Sequence, residues 1–108
     1  MVTSQMRSAV TKERKEGAPT SLNTSFLLMA QYGGAAVVPL EAVRRDYFPH
    51  LTEQKLLRKI LAGRIRLPVV RIEDSQKAAR GVHLQDLADY IDLQREKALK
   101  ELRQLTDG

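Results

Sequence analysis

The sequence predicts a mainly α-helical domain with a small β-hairpin and a long C-terminal helix. Three observations lead to this fold class. Apolar residues recur at helical spacing in the segments 39–48, 52–62 and 85–105. A β-branched run at 67–72 is followed by a turn of small and charged residues, which is typical of a hairpin. A length of 108 residues suffices for one modest core.

The first 22 residues are predicted to form a flexible basic tail. They show no sustained apolar period and contain Gly17 and Pro19. Order is expected to begin at Asn23 or Thr24, because either side chain can cap a helix. The chain is therefore divided into a tail at 1–22, a folded domain at 23–92 and an extension of the last helix at 93–108.

A helix, a brief strand and a second helix are predicted next. The first helix reaches about Tyr32, where two consecutive glycines end it. "AVV" at 36–38 predicts a strand that ends at Pro39, a residue also tolerated in the first turn of a helix. The helix "PLEAVRRDYF" ends before Pro49, because a residue preceding proline avoids helical geometry. Its apolar stripe consists of Leu40, Val43, Tyr47 and Phe48.

The segment 52–62 predicts a third helix with two chemically different faces. Thr52 is a suitable N-cap, and Gly63 ends the helix. The apolar face is formed by Leu56, Leu57, Ile60 and Leu61. The opposite face consists of the basic residues Lys55, Arg58 and Lys59 and the small residue Ala62, and Gln54 lies at its border. Two helices that meet at a short corner have the plan of a helix-turn-helix. The alternative is an ordinary solvated face, since exposed Lys and Arg are common.

A basic hairpin follows this helix. Its predicted strands are 67–72 and 82–84, and "EDSQKAARG" forms the turn. The long donors that lead into it or lie on its turn are Arg64, Arg66, Arg71, Gln76, Lys77 and Arg80. A basic hairpin directly after a second helix is the wing of a winged helix-turn-helix, whose tip reaches phosphates or the minor groove. A solubilising turn is the alternative interpretation.

The net charge of +5 is unevenly distributed. Residues 39–83 carry ten Lys or Arg against five Asp or Glu, whereas residues 84–108 carry four against six. The basic segment coincides with the predicted helix and hairpin, which favours a polyanionic partner. We therefore expect Lys77 and Arg80 to face DNA and the acidic last helix to face away from it.

The last helix, expected from about Gln85, carries a seven-residue apolar repeat. The repeat consists of Leu84, Ile91, Ala98 and Leu105, with Ala88 and Leu102 near the intermediate positions. Arg95 interrupts this seam. The pattern is compatible with a short homodimer contact. The alternative is an amphipathic helix that packs on its own domain and frays after about Lys97.

No group of residues indicates catalysis or the binding of a metal or cofactor. The chain has no cysteine, and His50 and His83 are far apart. Asp86 and Asp89 have no neighbouring nucleophile, metal ligand or base. No apolar stretch has the length of a signal peptide or a membrane span. We expect a cytoplasmic protein that is not an enzyme and does not bind membranes.

Several segments resemble the pyocin activator protein (PrtN-like) family. They are "FLLMAQYGG", "RRDYFPHLTEQKLLRKILAG", "LPVVR" and "SQKAARGVHLQDLADYID", and the resemblance covers about Asn23 to Asp92. It implies a bacterial transcriptional activator that switches on bacteriocin genes by binding repeated promoter elements after DNA damage removes a repressor (an SOS response). The order of elements is also similar to excisionase-like and MerR-like winged domains, an analogy at the level of the fold alone.

The leading hypothesis is a sequence-specific DNA-binding activator of pyocin-like or prophage genes. Lys55, Arg58 and Lys59, with Gln54, would contact base edges, while Arg66, Arg71, Lys77 and Arg80 would hold the backbone of double-stranded DNA. RNA polymerase is a further expected partner. One alternative is an excisionase-like architectural protein that bends DNA. Another is a regulator that acts by protein–protein contact through the acidic last helix.

Overall fold

The structure is a computed structural model that describes residues 23–75 and 77–107. This part of the chain forms helices and a small antiparallel sheet. Their bounds, in chain order, are α1 (Thr24–Gln31), β1 (Val37–Pro39), α2 (Leu40–Tyr47), α3 (Glu53–Leu61), β2 (Val70–Arg71), β3 (Arg80–His83) and α4 (Leu84–Asp107). The mainly helical class and the long last helix are confirmed. The predicted tail at 1–22 and Gln76 of the predicted turn lie outside the described residues.

Helix α1 begins and ends where the sequence predicts. The Asn23 side chain caps it, because its Oδ1 accepts a hydrogen bond from the Phe26 backbone N–H at 3.0 Å. Gly33 follows the helix with a φ of +65°, a left-handed conformation that costs glycine little. Helix α1 packs on α4, and the Thr24 hydroxyl donates to the Asp92 carboxylate at an O–O distance of 2.6 Å. These contacts join the first described helix to the last.

The corner between α2 and α3 is held by local hydrogen bonds. Phe48 caps the end of α2 through its N–H, which donates to the Arg44 carbonyl at 2.9 Å. The Arg44 guanidinium in turn donates from Nη1 to the Leu51 carbonyl at 3.0 Å. Thr52 then accepts a hydrogen bond from the Lys55 N–H at 3.1 Å, which confirms it as the N-cap of α3. The corner therefore sets the direction in which α3 leaves α2.

The sheet has the strand order β1-β3-β2 and is antiparallel throughout. Strands β2 and β3 form the predicted hairpin, but β2 is only Val70–Arg71 instead of 67–72, and β3 is Arg80–His83 instead of 82–84. Pro68 has no N–H for a ladder, which contributes to this shortening. The pairing of β1 with β3, which places Val38 opposite Val82, was not anticipated from the sequence. It joins strands that are far apart in the chain.

The core lies between the sheet and the inner faces of the helices. Its most deeply buried large side chains come from three helices and two strands: Leu40 and Val43 of α2, Leu56 of α3, Leu87 of α4, Val38 of β1 and Val82 of β3. The predicted stripe of α2 is confirmed, since Leu40, Val43 and Phe48 are buried and Tyr47 packs against them. On α3 the prediction is wrong at one position: Leu61 is 77% exposed, while Leu57 and Ile60 are partly buried. The core reaches only part of the apolar half of α3.

Helix α4 begins one residue before the predicted start and continues to Asp107. The Leu84 N–H donates to the Ala36 carbonyl at 2.8 Å, which attaches the start of α4 to the segment before β1. Leu87 and Ala88 are buried in the core, whereas Leu102 and Leu105 are 55% and 79% exposed. The helix does not fray after Lys97, and its apolar stripe continues beyond the core.

Candidate nucleic-acid interface

The basic side chains of α3 surround a shallow depression of about 370 Å³. Its lining residues are Lys55, Arg58, Lys59, Ala62 and Arg64. Four of the predicted site residues are thereby brought together on one surface. Ala62 contributes only a methyl group, so a ligand can approach the helix closely between the cations.

Two local features place these side chains around the depression. Leu56 is fully buried and fixes the rotation of α3, so that Lys55 and Arg58 point outward. Gly63 then takes a φ of +78°, and the Arg64 N–H donates to the Lys59 carbonyl at 2.9 Å. This turn folds the chain back at the helix end, and Arg64 lines the same depression as the residues before it.

Two more predicted residues lie near this depression without lining it. Gln54 is exposed in the first turn of α3. Arg66 lines a neighbouring open depression of about 560 Å³, together with Ile60 and Gly63 among others. Arg66 therefore extends the basic surface beyond the end of the helix.

The hairpin carries its own basic pair. Arg71 of β2 lies directly opposite Arg80 of β3 in the antiparallel register. Arg71 is exposed and Arg80 is half-buried. Like charges in this position repel each other and weaken a hairpin unless an anion lies between them. Lys77 is exposed on the turn, where its N–H donates to the Ser75 hydroxyl at 3.0 Å. The hairpin thus carries three cations, Arg71, Lys77 and Arg80, that form no ion pair among the described residues.

The arginines of α2 differ from those of α3 and the hairpin in having acidic partners. Arg44 binds Glu41 at 2.8 Å, and its hydrogen bonds lower the pKa of that carboxyl. Arg45 binds Asp46 at 2.8 Å. Hydrogen bonds from Arg45, and then from Tyr32, lower the pKa of Asp46 to about 2. The charges of α2 are therefore compensated within the fold.

The predicted Lys and Arg site residues form no ion pair with any acidic residue in the described part of the chain. Within residues 23–75 and 77–107, the ion pairs are those of Arg44 and Arg45, and none reaches α3 or the hairpin. An unpaired cation keeps its full charge available for a partner. The ion-pairing of Arg44 and Arg45 was not predicted, although Glu41 three residues before Arg44 is a recognisable signal for it.

A side chain that sequence reasoning placed in the core belongs to this surface instead. Leu61 lies at the end of α3, next to Ala62, and is mostly exposed. Leu57 lies inside the apolar half of α3, whereas Leu61 lies at its edge, three residues after Arg58 and seven after Gln54, and this position is a recognisable signal for its exposure. The packing of the core decides which of them is covered.

The described part of the chain contains no helix that is both long enough and apolar enough to cross a membrane. The fold and surface define a class: a small, mainly helical protein with cations gathered along one helix face, unpaired within the described residues. A family model described as pyocin activator protein PrtN matches residues 24–98. The chain belongs to this family, which is a family of transcriptional activators and not of enzymes. Searches of curated proteins and of solved structures found no match.

Proposed function

We propose that this protein is a sequence-specific DNA-binding activator of pyocin-like or prophage genes, in which α2, α3 and the β2–β3 hairpin act as a winged helix-turn-helix. The observation that carries the proposal is the depression along the outer face of α3, where Lys55, Arg58, Lys59 and Arg64 meet without acidic partners among the described residues. Family membership supplies the biological context.

Helix α3 is the proposed recognition helix. Long side chains with several donors match the O6 and N7 acceptors of guanine in the major groove, and they also reach phosphates. Lys55, Arg58 and Lys59 project from the outer face of α3, with Gln54 beside them. Ala62 keeps the centre of this face low enough for base edges to approach. Arg58 is the central reader in this proposal, and Arg64 and Arg66 hold phosphates at the helix end.

The hairpin is the proposed clamp on the DNA backbone. Arg71 and Arg80 face each other across the two strands, so a phosphate between them would relieve their repulsion. Lys77 on the turn would contact the backbone further along, and its sequence neighbour Gln76 is a further proposed contact. The resulting contacts are independent of sequence and set the register of the recognition helix.

The acidic helix α4 is proposed to face away from DNA and to join two copies of the chain. Its apolar stripe continues past the core as Ala98, Leu102 and Leu105, and these leucines are largely exposed. A second copy of α4 would cover them, which fits an activator that binds repeated elements. RNA polymerase is the other proposed partner. We propose a cytoplasmic location, because DNA and RNA polymerase occur there.

The proposed roles of reader and clamp are tested by comparing Arg58→Ala with Lys77→Ala. Binding of each variant to a footprinted promoter duplex and to an unrelated duplex is measured over a range of salt concentrations. We expect Arg58→Ala to weaken binding to the promoter more than to the unrelated duplex, and Lys77→Ala to weaken both alike. Equal effects of the two changes on both duplexes would contradict this division of roles.

DNA bending of the excisionase type is a second candidate function, and one observation favours it. Ile72 follows β2 on the hairpin and is 65% exposed. Apolar side chains on minor-groove elements can wedge between base steps and kink the duplex. Gel migration of a promoter fragment with the site at permuted positions distinguishes the two functions. Strong bending with no change in transcription would favour the architectural role.

A further inference from the structure

Leu61 is an exposed apolar side chain on a strip of α3 that is otherwise polar. It is 77% exposed, whereas Leu56 on the same helix is fully buried. Leu61 follows Arg58 by three positions and Gln54 by seven, so these side chains share one strip of the helix surface. A single exposed leucine is common on proteins and means little by itself. Its neighbours give this one a specific chemical setting.

The setting is the rim of the basic depression. Ala62, the next residue, lines the depression together with Arg58 and the other cations of α3. Those cations lack acidic partners in the described part of the chain. A duplex held by them in the proposed manner would therefore bring the edges of its bases close to Leu61.

Base edges in the major groove offer an apolar side chain one partner. The C5-methyl group of thymine is the apolar feature there, while guanine, adenine and cytosine present donors and acceptors. Arg58 and Lys55 can bind acceptors but gain nothing from a methyl group. We infer that Leu61 packs against a thymine C5-methyl beside the base that Arg58 contacts, and so adds specificity for thymine at that position. This inference rests on the proposed function.

Replacing thymine by uracil tests the inference, because uracil keeps every donor and acceptor and lacks only the methyl group. The full chain is titrated against the promoter duplex that it protects in footprinting, made once with thymine and once with deoxyuridine throughout the protected segment. Removal of one buried methyl group is expected to weaken wild-type binding about fourfold. For Leu61→Ala the ratio of the Kd for the deoxyuridine duplex to the Kd for the thymine duplex should fall toward one. Leu61→Met should keep the wild-type ratio.

Ile72→Ala is the matched control, since Ile72 is a similarly exposed aliphatic residue on the hairpin. The thymine methyl lies in the major groove, so a side chain that meets the backbone or the minor groove should not sense it. Ile72→Ala is therefore expected to keep the wild-type ratio. A wild-type ratio of one, or an undiminished ratio in Leu61→Ala, overturns the inference about Leu61 alone. Absence of any salt-dependent binding to promoter duplexes overturns the proposed function as well.

Discussion

Gly81 occupies a crowded position in the sheet, and replacing it by alanine should destabilise the domain. It lies in the central strand β3, opposite Pro39 of β1 on one side and Val70 of β2 on the other. A Cβ at this position would stand 2.7 Å from the Val38 carbonyl oxygen and 2.6 Å from the Val37 Cγ1. Side chains can rotate away from such a contact, but the carbonyl oxygen belongs to the backbone of the paired strand.

The size of the effect follows from these distances. Ordinary van der Waals contact begins at 3.4 Å, so the backbone of β1 must move by about 0.7 Å to accept the methyl group. Overpacking of this kind costs about 1–3 kcal/mol. Strand β1 leads directly into α2, so a shift of β1 is transmitted to the corner that orients α3. For a domain of this size the melting temperature should fall by about 4 °C or more.

Urea and thermal unfolding, followed by circular dichroism, measure this destabilisation. Gly33→Asn is the matched control, because Gly33 has nothing within 4 Å of an added Cβ and needs only a tolerated left-handed conformation. It should remain close to wild type. Surface substitutions usually change the free energy of unfolding by no more than about 0.5 kcal/mol. If Gly81→Ala changes it by no more than this, β1 and β3 are not packed as described.

The charge of α3, the acid sensitivity of folding and the packing of the core can each be perturbed by substitution. Replacing both Lys55 and Lys59 by Gln should make the slope of log Kobs against log salt less negative. The change should be about 0.9 for each phosphate that the variant no longer neutralises, and titration of a promoter duplex measures it. Asp46→Asn should remove part of the acid sensitivity of folding: the pKa of Asp46 is lowered from 3.8 to about 2, so its stabilising effect is present above pH 3.8 and disappears as the pH falls toward 2. Leu56→Ala should lower the free energy of unfolding by about 2–5 kcal/mol, because this fully buried leucine anchors α3 to the core.

Lys97→Gln with Lys100→Gln removes the same charge from exposed positions of α4 and should leave the salt slope unchanged. If the salt slope changes equally in both double variants, the salt dependence reflects only the net charge of the protein and not contacts made by α3. For Asp46, unfolding is compared at about pH 6 and near pH 2, and an identical pH dependence in the variant would contradict the assigned hydrogen bonds. For Leu56, the exposed Leu61→Ala serves as comparison, and similar destabilisation at both positions would contradict their burial.

Local interactions explain why much of the helical structure could be predicted. Asn23 and Thr52 cap helices through their own side chains within three residues, and Gly63 ends α3 through its own backbone. Such interactions depend only on neighbouring residues, so their effects are visible in the sequence. The grouping of Lys55, Arg58 and Lys59 on one face of α3 follows in the same way from helical periodicity.

Packing between distant segments determined the strand pairing and the burial that could not be predicted from the sequence. The pairing of Val38 with Val82 adds β1 to the hairpin, and no local pattern specifies that partner. The core covers Leu56 but leaves Leu61 exposed, although both fit the same helical stripe. The sequence by itself determined where the helices lie and which face of α3 is basic, because these depend on short-range geometry. Only the tertiary structure decided that β1 joins the hairpin and how much of the apolar half of α3 the core covers, because strand pairing and burial depend on which elements pack together.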